Sequence, residues 1–240
     1  MFESNPMQDF IDNDKVFRTY IDRDQEYPVI VSIDCGHGGI INGKYQTAGK
    51  QYDHGDFVFY EGKYNRQLGK ALAQKFWNNH ISYTFTTISN YDEPLPKRIE
   101  YLGQFVKKHP NHKHILLSIH GNAAGVESAS GFEFFSTHGV TDSDYAANIY
   151  YPYMLDLGMK MRTTRNEELE YDKEANFYVI RKAEELGCIA LLFEFGFYTN
   201  REEALKMMNT DWQNLVVNAL YKGTRDVITK IKNDGTVRTV

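Results

Sequence analysis

The sequence has few of the features that mark disulfide-rich, membrane-spanning or exported proteins. Its two cysteines, Cys35 and Cys188, are too few for a disulfide framework, and we expect both to be reduced and buried. The longest unbroken apolar stretch, 188–193, is far shorter than the roughly 20 residues that a membrane-spanning helix needs. Residues 1–26 contain no basic start followed by an apolar run, so the sequence predicts no signal peptide.

An excess of one charge is also lacking over most of the chain. The 32 acidic and 27 basic residues give a net charge of −5, and residues 1–26 hold seven of the acids and three of the bases. The rest of the chain is nearly neutral, so it has no basic field that would attract nucleic acid or anionic lipid. We therefore expect no nucleic-acid partner and no stable membrane insertion, and the sequence predicts no particular oligomeric state.

What the sequence does contain is an alternation of apolar strands and amphipathic helices. Its 240 residues, 42% of them hydrophobic, suffice to bury the core of one domain. Apolar runs typical of buried strands occur at 29–34, 81–88, 114–120, 131–136 and 188–195. Helical spacing of apolar residues occurs at 61–77, 96–108, 143–158, 201–208 and 211–233. This alternation predicts a single-domain α/β fold, with a mostly parallel or mixed twisted sheet and helices on both faces.

The chain divides into three parts in this interpretation. Residues 1–26 form an acidic N-terminal extension, residues 27–233 form the domain, and residues 234–240 form a frayed tail. No repeat or low-complexity linker separates a second domain.

Local signals add four expectations within the domain. Residues 40–60 are rich in Gly, Asn, Asp and Tyr without steady periodicity, which predicts a long loop. A mixed loop is expected between 158 and 188. Pro152 is expected to kink or interrupt its helix, and Asp211 is the predicted N-cap of the last helix.

Three of the predicted strands lead to a side chain that binds metals or moves protons. His37 follows the first strand in a GHG turn, His120 ends the third, and Glu194 lies within the most apolar one. A fourth candidate, Glu61, begins the first helix, where a carboxylate suits the helix dipole. Because the carboxyl ends of parallel strands meet at one edge of a sheet, we expect these residues to lie close together.

Two histidines and one carboxylate form the ligand set of many catalytic zinc sites, which leaves a second carboxylate free to move protons. The glycines beside His37 suit this interpretation, since they let the backbone turn sharply. Taken singly, either histidine is more often a structural residue than a ligand, and Glu61 is more often an ordinary helix-start glutamate. Glu194 differs, because an acid in an apolar strand is costly unless it is paired or functional.

Five segments together resemble one enzyme family: IDCGHGG (33–39), EGKYNRQLGKALA (61–73), LLSIHGNA (116–123), GFEFFS (131–136) and LLFEFGFYTN (191–200). In this order they resemble the zinc-dependent N-acetylmuramoyl-L-alanine amidases of the amidase-3 type, over roughly residues 28–232. The resemblance implies one Zn²⁺ ion held by His37, Glu61 and His120, with Glu194 as the catalytic acid and base. The side-chain chemistry selects the same four residues.

The same resemblance implies a substrate, namely peptidoglycan cut at the amide between N-acetylmuramic acid and L-alanine of the stem peptide. Asn122 is expected to orient the substrate or a ligand. Aromatic residues of the 40–60 loop are candidates for stacking on sugar or peptide, although core packing competes for some of them: Tyr45, Tyr52, Phe57, Phe59 and Tyr60.

Two departures from the family pattern leave alternatives open. The loop between His37 and Glu61 is long and offers other ligands in place of Glu61: Asp53, His54 and Asp56. The segment before the third strand resembles a metal-binding tract, although a solvated loop is the favoured interpretation there: His109, His112 and His114.

The predicted lack of a signal peptide favours a phage endolysin, which would accumulate in the host cytoplasm and then reach the periplasm and cell wall through a membrane lesion. A sporulation or mother-cell lysis enzyme, a virion-borne hydrolase and a bacterial amidase with unusual export are alternatives within the class. Two further alternatives are a zinc peptidase acting elsewhere in the stem peptide and a non-catalytic wall-binding or virion protein.

Overall fold

The structure is a computed structural model that describes residues 19–22, 28–162 and 172–238. Its strands are β1 Val29–Cys35, β2 Ile40–Ile41, β3 Lys44–Tyr45, β4 Gln51–Asp53, β5 Val58–Tyr60, β6 Tyr83–Phe85, β7 Lys113–Asn122, β8 Glu133–Ser136, β9 Lys173–Glu174 and β10 Ile189–Phe197. Its helices are α1 Glu61–Asn78, α2 Leu95–Lys108, α3 Asp142–Leu155, α4 Tyr178–Glu185, α5 Arg201–Met208 and α6 Thr210–Asp234.

Six strands form the central sheet in the order β6-β1-β7-β10-β8-β9. Strands β6, β1, β7 and β10 run parallel, whereas β8 is antiparallel to β10 and parallel to β9. Helices α1, α3 and α6 pack on one side of the sheet, and α2 and α4 pack on the other. The predicted α/β fold, with a mixed sheet covered on both faces, is confirmed.

Alternation along the strands separates two apolar cores. In β7, Ile115, Leu117 and Ile119 belong to the larger core, whereas Leu116 belongs to the smaller core beneath α2 and α4. Successive side chains of a strand point to opposite faces, so a strand buried on both sides is apolar at nearly every position. This explains why the runs in β1, β7 and β10 could be recognised from sequence.

The prediction of a long loop over 40–60 is wrong, because this segment contains four short strands. Strands β2 and β3 form one hairpin, and β4 and β5 form another. Asn42 and Gly43 connect the first pair with φ values of 50° and 76°, the positive values that a type I′ turn requires. Strands of two or three residues are too short to show periodicity, but the Asn-Gly pair was a readable hairpin signal.

Three further expectations are corrected in the second half of the chain. The region predicted as a mixed loop contains α4, whose Val179, Ile180 and Ala183 are buried. The N-cap of α6 is Asn209, whose side chain accepts a hydrogen bond from the backbone N–H of Trp212, and not Asp211. Helix α3 continues through Pro152, so the expected interruption is wrong, whereas the alternative of a kink stays a prediction.

The N-terminal side of the chain covers an edge of the sheet. Tyr20 forms an antiparallel bridge with Tyr83 of β6, with N–H···O distances of 2.9 and 2.8 Å. Most of the predicted extension, residues 1–18 and 23–26, lies outside the described residues. Of the predicted tail, Asp234 ends α6 and Val237 is buried.

The cysteines and the helices of the described residues bear on two of the expectations from the sequence. Cys35 and Cys188 are free and buried, as predicted. Within the described ranges, no helix combines the length and the apolar character needed to span a membrane.

Candidate metal centre

Three predicted ligands converge at the carboxyl edge of the sheet. Nε2 of His37 and Nδ1 of His120 each lie 3.1 Å from the same carboxylate oxygen, Oε1 of Glu61. One potential ligand atom from each residue lies within 4.8 Å of the other two. The two imidazole rings meet edge to face, with centroids 5.2 Å apart. This triad could hold a metal ion.

The turn after β1 brings His37 to this point. His37 has a φ of 61°, a left-handed conformation that is uncommon for a residue other than glycine. A Cβ atom on Gly36 would overlap the imidazole ring of His120, so only glycine allows the turn to approach that ring. The side-chain amide of Asn65 donates a hydrogen bond of 3.0 Å to the carbonyl of Gly36.

Two buried arginines fix the backbone of the same turn. Arg66 Nη1 donates to the carbonyl of His37 at 2.6 Å, and Arg98 Nη1 donates to the carbonyl of Cys35 at 3.0 Å. Arg98 also pairs with the buried carboxylate of Asp34 at 3.2 Å. Buried charges persist when they are paired and hydrogen-bonded, so these contacts hold the strained turn in a single conformation.

Helix α1 begins directly against this turn. A Cβ atom on Gly62 would overlap the carbonyl oxygen of Gly38, so glycine permits the close approach. Glu61, in the first turn of α1, is thereby placed between the two histidines. Burial alone would raise the pKa of Glu61, but the hydrogen bonds and charges of His120 and His37 outweigh it and lower the pKa to about 2.

Glu194 lies beside the triad, and its pKa is shifted in the opposite direction from that of Glu61. It is aligned with His120 of β7 on one side and with Glu133 of β8 on the other. Burial raises the pKa of Glu194 to about 8, although the charge of His120 opposes the shift. Its Oε2 atom is buried and has no hydrogen-bond partner among the described residues. The site therefore holds two carboxylates whose environments shift their pKa values apart, a pattern typical of acid–base sites.

The other sequence-predicted residue, Asn122, lies at the end of β7. Its Nδ2 donates to Oε2 of Glu133 at 3.2 Å, and its Oδ1 accepts a hydrogen bond from the N–H of Ala123 at 2.8 Å. Its contacts are thus with a carboxylate that the sequence analysis did not single out. Glu133 lies in an apolar strand, GFEFFS, so the reasoning applied to Glu194 would also have selected it.

The alternatives to Glu61 have other partners. His54 stacks on Phe57 with ring centroids 4.6 Å apart, and its Nε2 lies 3.0 Å from the carbonyl of Tyr198. Asp56 pairs with Arg201 at 2.7 Å. Asp53 accepts a hydrogen bond from the N–H of Gly55. The structure brings Glu61, and none of these three, to the two histidines.

The remaining histidine tract and the loop aromatics also lie in defined places. Nε2 of His114 lies 3.1 Å from the carbonyl of His109, and no metal-binding group of three among the described residues includes the tract. Phe59 belongs to the core and stacks on Tyr198 at 5.3 Å. The other four aromatic candidates are partly exposed and stay predictions: Tyr45, Tyr52, Phe57 and Tyr60.

Comparison with known families decides the membership of the chain. The family model described as N-acetylmuramoyl-L-alanine amidase, of the amidase-3 type, matches residues 31–226. The chain belongs to the N-acetylmuramoyl-L-alanine amidase family. The predicted family and the expectation of a hydrolase are confirmed, and peptidoglycan is the substrate class that membership implies.

Individual relatives match this chain at low sequence identity. YqiI of Bacillus subtilis (strain 168), itself described as uncharacterized, is 24% identical over 193 residues, covering 80% of this chain and 82% of its own. The catalytic domain of the amidase CwlV from Bacillus (Paenibacillus) polymyxa var. colistinus is 22% identical, with a TM-score of 0.63 over 84% of this chain and 98% of that one. An N-acetylmuramoyl-L-alanine amidase from Clostridium difficile 630 is 22% identical, with a TM-score of 0.65 over 88% and 100%.

The triad fits a zinc ion in donor type and number. Catalytic zinc sites use three protein ligands, such as three histidines or two histidines and a glutamate, and keep one position open. His37, His120 and Glu61 supply this set from three different segments of this amidase, and Glu61 is ionised over the physiological pH range.

Proposed function

We propose that the protein is a zinc-dependent peptidoglycan hydrolase that cleaves the amide between the lactyl group of N-acetylmuramic acid and L-alanine. One observation carries the proposal: two imidazole nitrogens and one carboxylate oxygen converge beside Glu194, whose Oε2 atom is buried without a hydrogen-bond partner among the described residues. A bound zinc ion supplies a Lewis acid and lowers the pKa of water towards about 7.

The side chains divide the work in this proposal. His37, His120 and Glu61 hold the metal. Glu194, as carboxylate, accepts a proton from the attacking water and delivers it to the amine nitrogen as the amide bond breaks. Its pKa, raised to about 8 by burial in the metal-free protein, suits a group that must both accept and release a proton near neutral pH. A bound zinc ion would lower that pKa towards neutrality.

The test is digestion of purified cell walls with and without a chelator, followed by identification of the released termini. We expect loss of turbidity and new L-alanine amino groups, both abolished by the chelator and restored by added zinc. New termini elsewhere in the stem peptide would favour the zinc peptidase. Absence of any new terminus would favour a non-catalytic wall-binding protein.

The setting is a separate proposal that is independent of the fold. We propose a role in phage-driven lysis, with the enzyme held in the host cytoplasm until a membrane lesion gives it access to the wall. Cells expressing the protein should then stay intact until the membrane is permeabilised and lyse promptly afterwards. Lysis without permeabilisation would contradict this setting and leave the chemistry of the site unaffected.

A further inference from the structure

A second charged cluster lies next to Glu194 and is not used in the chemistry above. The carboxylate of Glu133 accepts hydrogen bonds from Nε of Arg162 at 2.6 Å and from Nζ of Lys173 at 2.9 Å through the same oxygen. Its other oxygen accepts from Asn122 at 3.2 Å. Two cations therefore share the carboxylate of Glu133, and Arg162 also interacts with the charge of Glu203.

The functional side chains follow the order of the strands across the sheet. His37 follows β1, His120 lies in β7, Glu194 in β10, Glu133 in β8 and Lys173 in β9. Glu194 is aligned with both His120 and Glu133, so it separates the metal triad from the cationic cluster. A substrate that reaches from the triad past Glu194 meets this cluster next.

The direction of the substrate follows from the proposed function, on which this inference rests. The carbonyl of the scissile amide must face the triad, and the leaving nitrogen must face Glu194, which gives it a proton. The stem peptide continues from that nitrogen, so it extends towards Glu133 and its two cations. The glycan lies on the other side of the scissile bond.

We propose that Arg162 and Lys173, positioned by Glu133, bind a carboxylate of the stem peptide and so determine which peptides are cut efficiently. Both side chains are accessible, with 38% and 22% of their side-chain surface exposed. Nη2 of Arg162 makes no hydrogen bond within the described ranges, so the planar guanidinium retains a donor for a carboxylate oxygen.

Packing holds this pair in place before any ligand arrives. The guanidinium of Arg162 lies over the ring of Phe197, 5.0 Å from its centroid, and Lys173 Nζ lies 5.9 Å from the ring centroid of Phe135. Such contacts reduce the side-chain freedom that binding would otherwise remove. Glu133 is 6% exposed and serves to anchor the cations.

The test compares two synthetic muropeptides that differ at one group, a free carboxylate or a carboxamide on the residue that follows L-alanine. We expect the zinc-loaded wild type to cut the carboxylate form with about tenfold higher kcat/KM, mainly through a lower KM, because charge-assisted hydrogen bonds are lost in the amide. The variants R162Q and K173Q should each reduce this preference several-fold. K182Q, which removes a partly exposed lysine of α4 that pairs with Glu185, is the matched control and should keep it.

A binding measurement supplies a readout independent of turnover. Calorimetry of the E194Q protein with the two stem peptides alone should show the same preference, and K173Q in that background should reduce it. Equal kcat/KM and equal binding of both forms by the wild type would overturn the inference while leaving the proposed function intact. Cleavage of neither muropeptide would overturn the proposed function and this inference with it. If R162Q does not fold, K173Q and the calorimetric comparison still decide.

Discussion

Strand β7 carries a histidine near each end, and the two have opposite surroundings. His120, at the carboxyl end, lies 3.1 Å from the carboxylate of Glu61 and faces the ring of His37. Nε2 of His114, near the other end, lies 3.1 Å from the carbonyl of His109, whose ring meets that of His112 edge to face. Two histidines of one strand thus have the same chemistry but different partners.

The difference is set by a carboxylate from a distant element. Burial lowers the pKa of His114, and the charges of His112 and His109 lower it further. Burial also acts to lower the pKa of His120, but the hydrogen bond to Glu61 and the charge of Glu194 outweigh it and raise the pKa. Among the described residues, the histidines close in sequence form no group that could hold a metal ion, whereas His37 and His120 together with Glu61 form one that could.

The largest expected effect separates the two ends by metal content. In His120→Ala we expect bound zinc to fall from about one ion per chain to almost none, with loss of hydrolysis, because two ligands hold zinc far more weakly than three. In His114→Ala we expect the metal content to be unchanged. Elemental analysis of the purified proteins measures both. Equal zinc in the two variants would contradict the difference between the ends.

The second prediction divides the carboxyl end into residues that hold metal and one that moves protons. Glu194→Gln should retain zinc and the folded structure but lose about 10²- to 10⁴-fold in wall hydrolysis, because an amide cannot accept the proton. Zinc content and turnover are measured on the same sample. Near wild-type turnover with full zinc would remove Glu194 from its assigned role.

A smaller effect is expected in the titration of the chelator-treated protein. The imidazole of His114 should titrate below the ordinary pKa of about 6.5, and that of His120 above it, as followed by NMR. The stability that neutral His114 contributes is present above about pH 6.5 and is lost as the pH falls towards its folded pKa. The contribution of the His120–Glu61 contact has the reverse sign, because it is present at low pH and is lost as the pH rises through the folded pKa of His120.

The smallest effect concerns the cysteines, which lie at opposite ends of the parallel strands. Cys35 is the last residue of β1, at the carboxyl ends of the strands near the candidate metal centre. Cys188 comes just before β10, at the amino ends of the strands. Burial raises the pKa of Cys35 to about 11 and that of Cys188 to about 12. We expect neither thiol of the folded protein to react with iodoacetamide at pH 8, with both reacting in denaturant. Rapid alkylation of Cys35 alone would indicate that the carboxyl edge opens more readily.

The core strands and the four residues proposed for the chemistry could be predicted because each signal is local. Runs such as VIVSID and CIALLF are buried on both faces of the sheet, so most of their consecutive residues are apolar. His37, His120 and Glu194 lie at or beyond the ends of such runs. Parallel strand ends share an edge, so proximity followed from topology.

The features that escaped prediction depend on contacts between distant segments. The hairpins of 40–60 have strands of two or three residues, which show no period. Helix α4 spans only eight residues and buries three of them, too few to show a clear helical period. The cationic cluster forms because β8 runs antiparallel beside β10 and brings Glu133 to the same edge, a pairing that no local pattern indicates.

The bridge between Tyr20 and Tyr83 has a consequence for the exposed side of the sheet. Strand β6 lies at the margin of the sheet, and an open margin offers its N–H and C=O groups to any other extended chain. Tyr20 occupies the N–H and C=O groups of Tyr83, and the hydroxyl of Thr19 shares a hydrogen bond with that of Thr84. The chain thus pairs part of this margin with its own residues, and a shortened protein that began at Pro28 would leave Tyr83 free to pair with another extended chain.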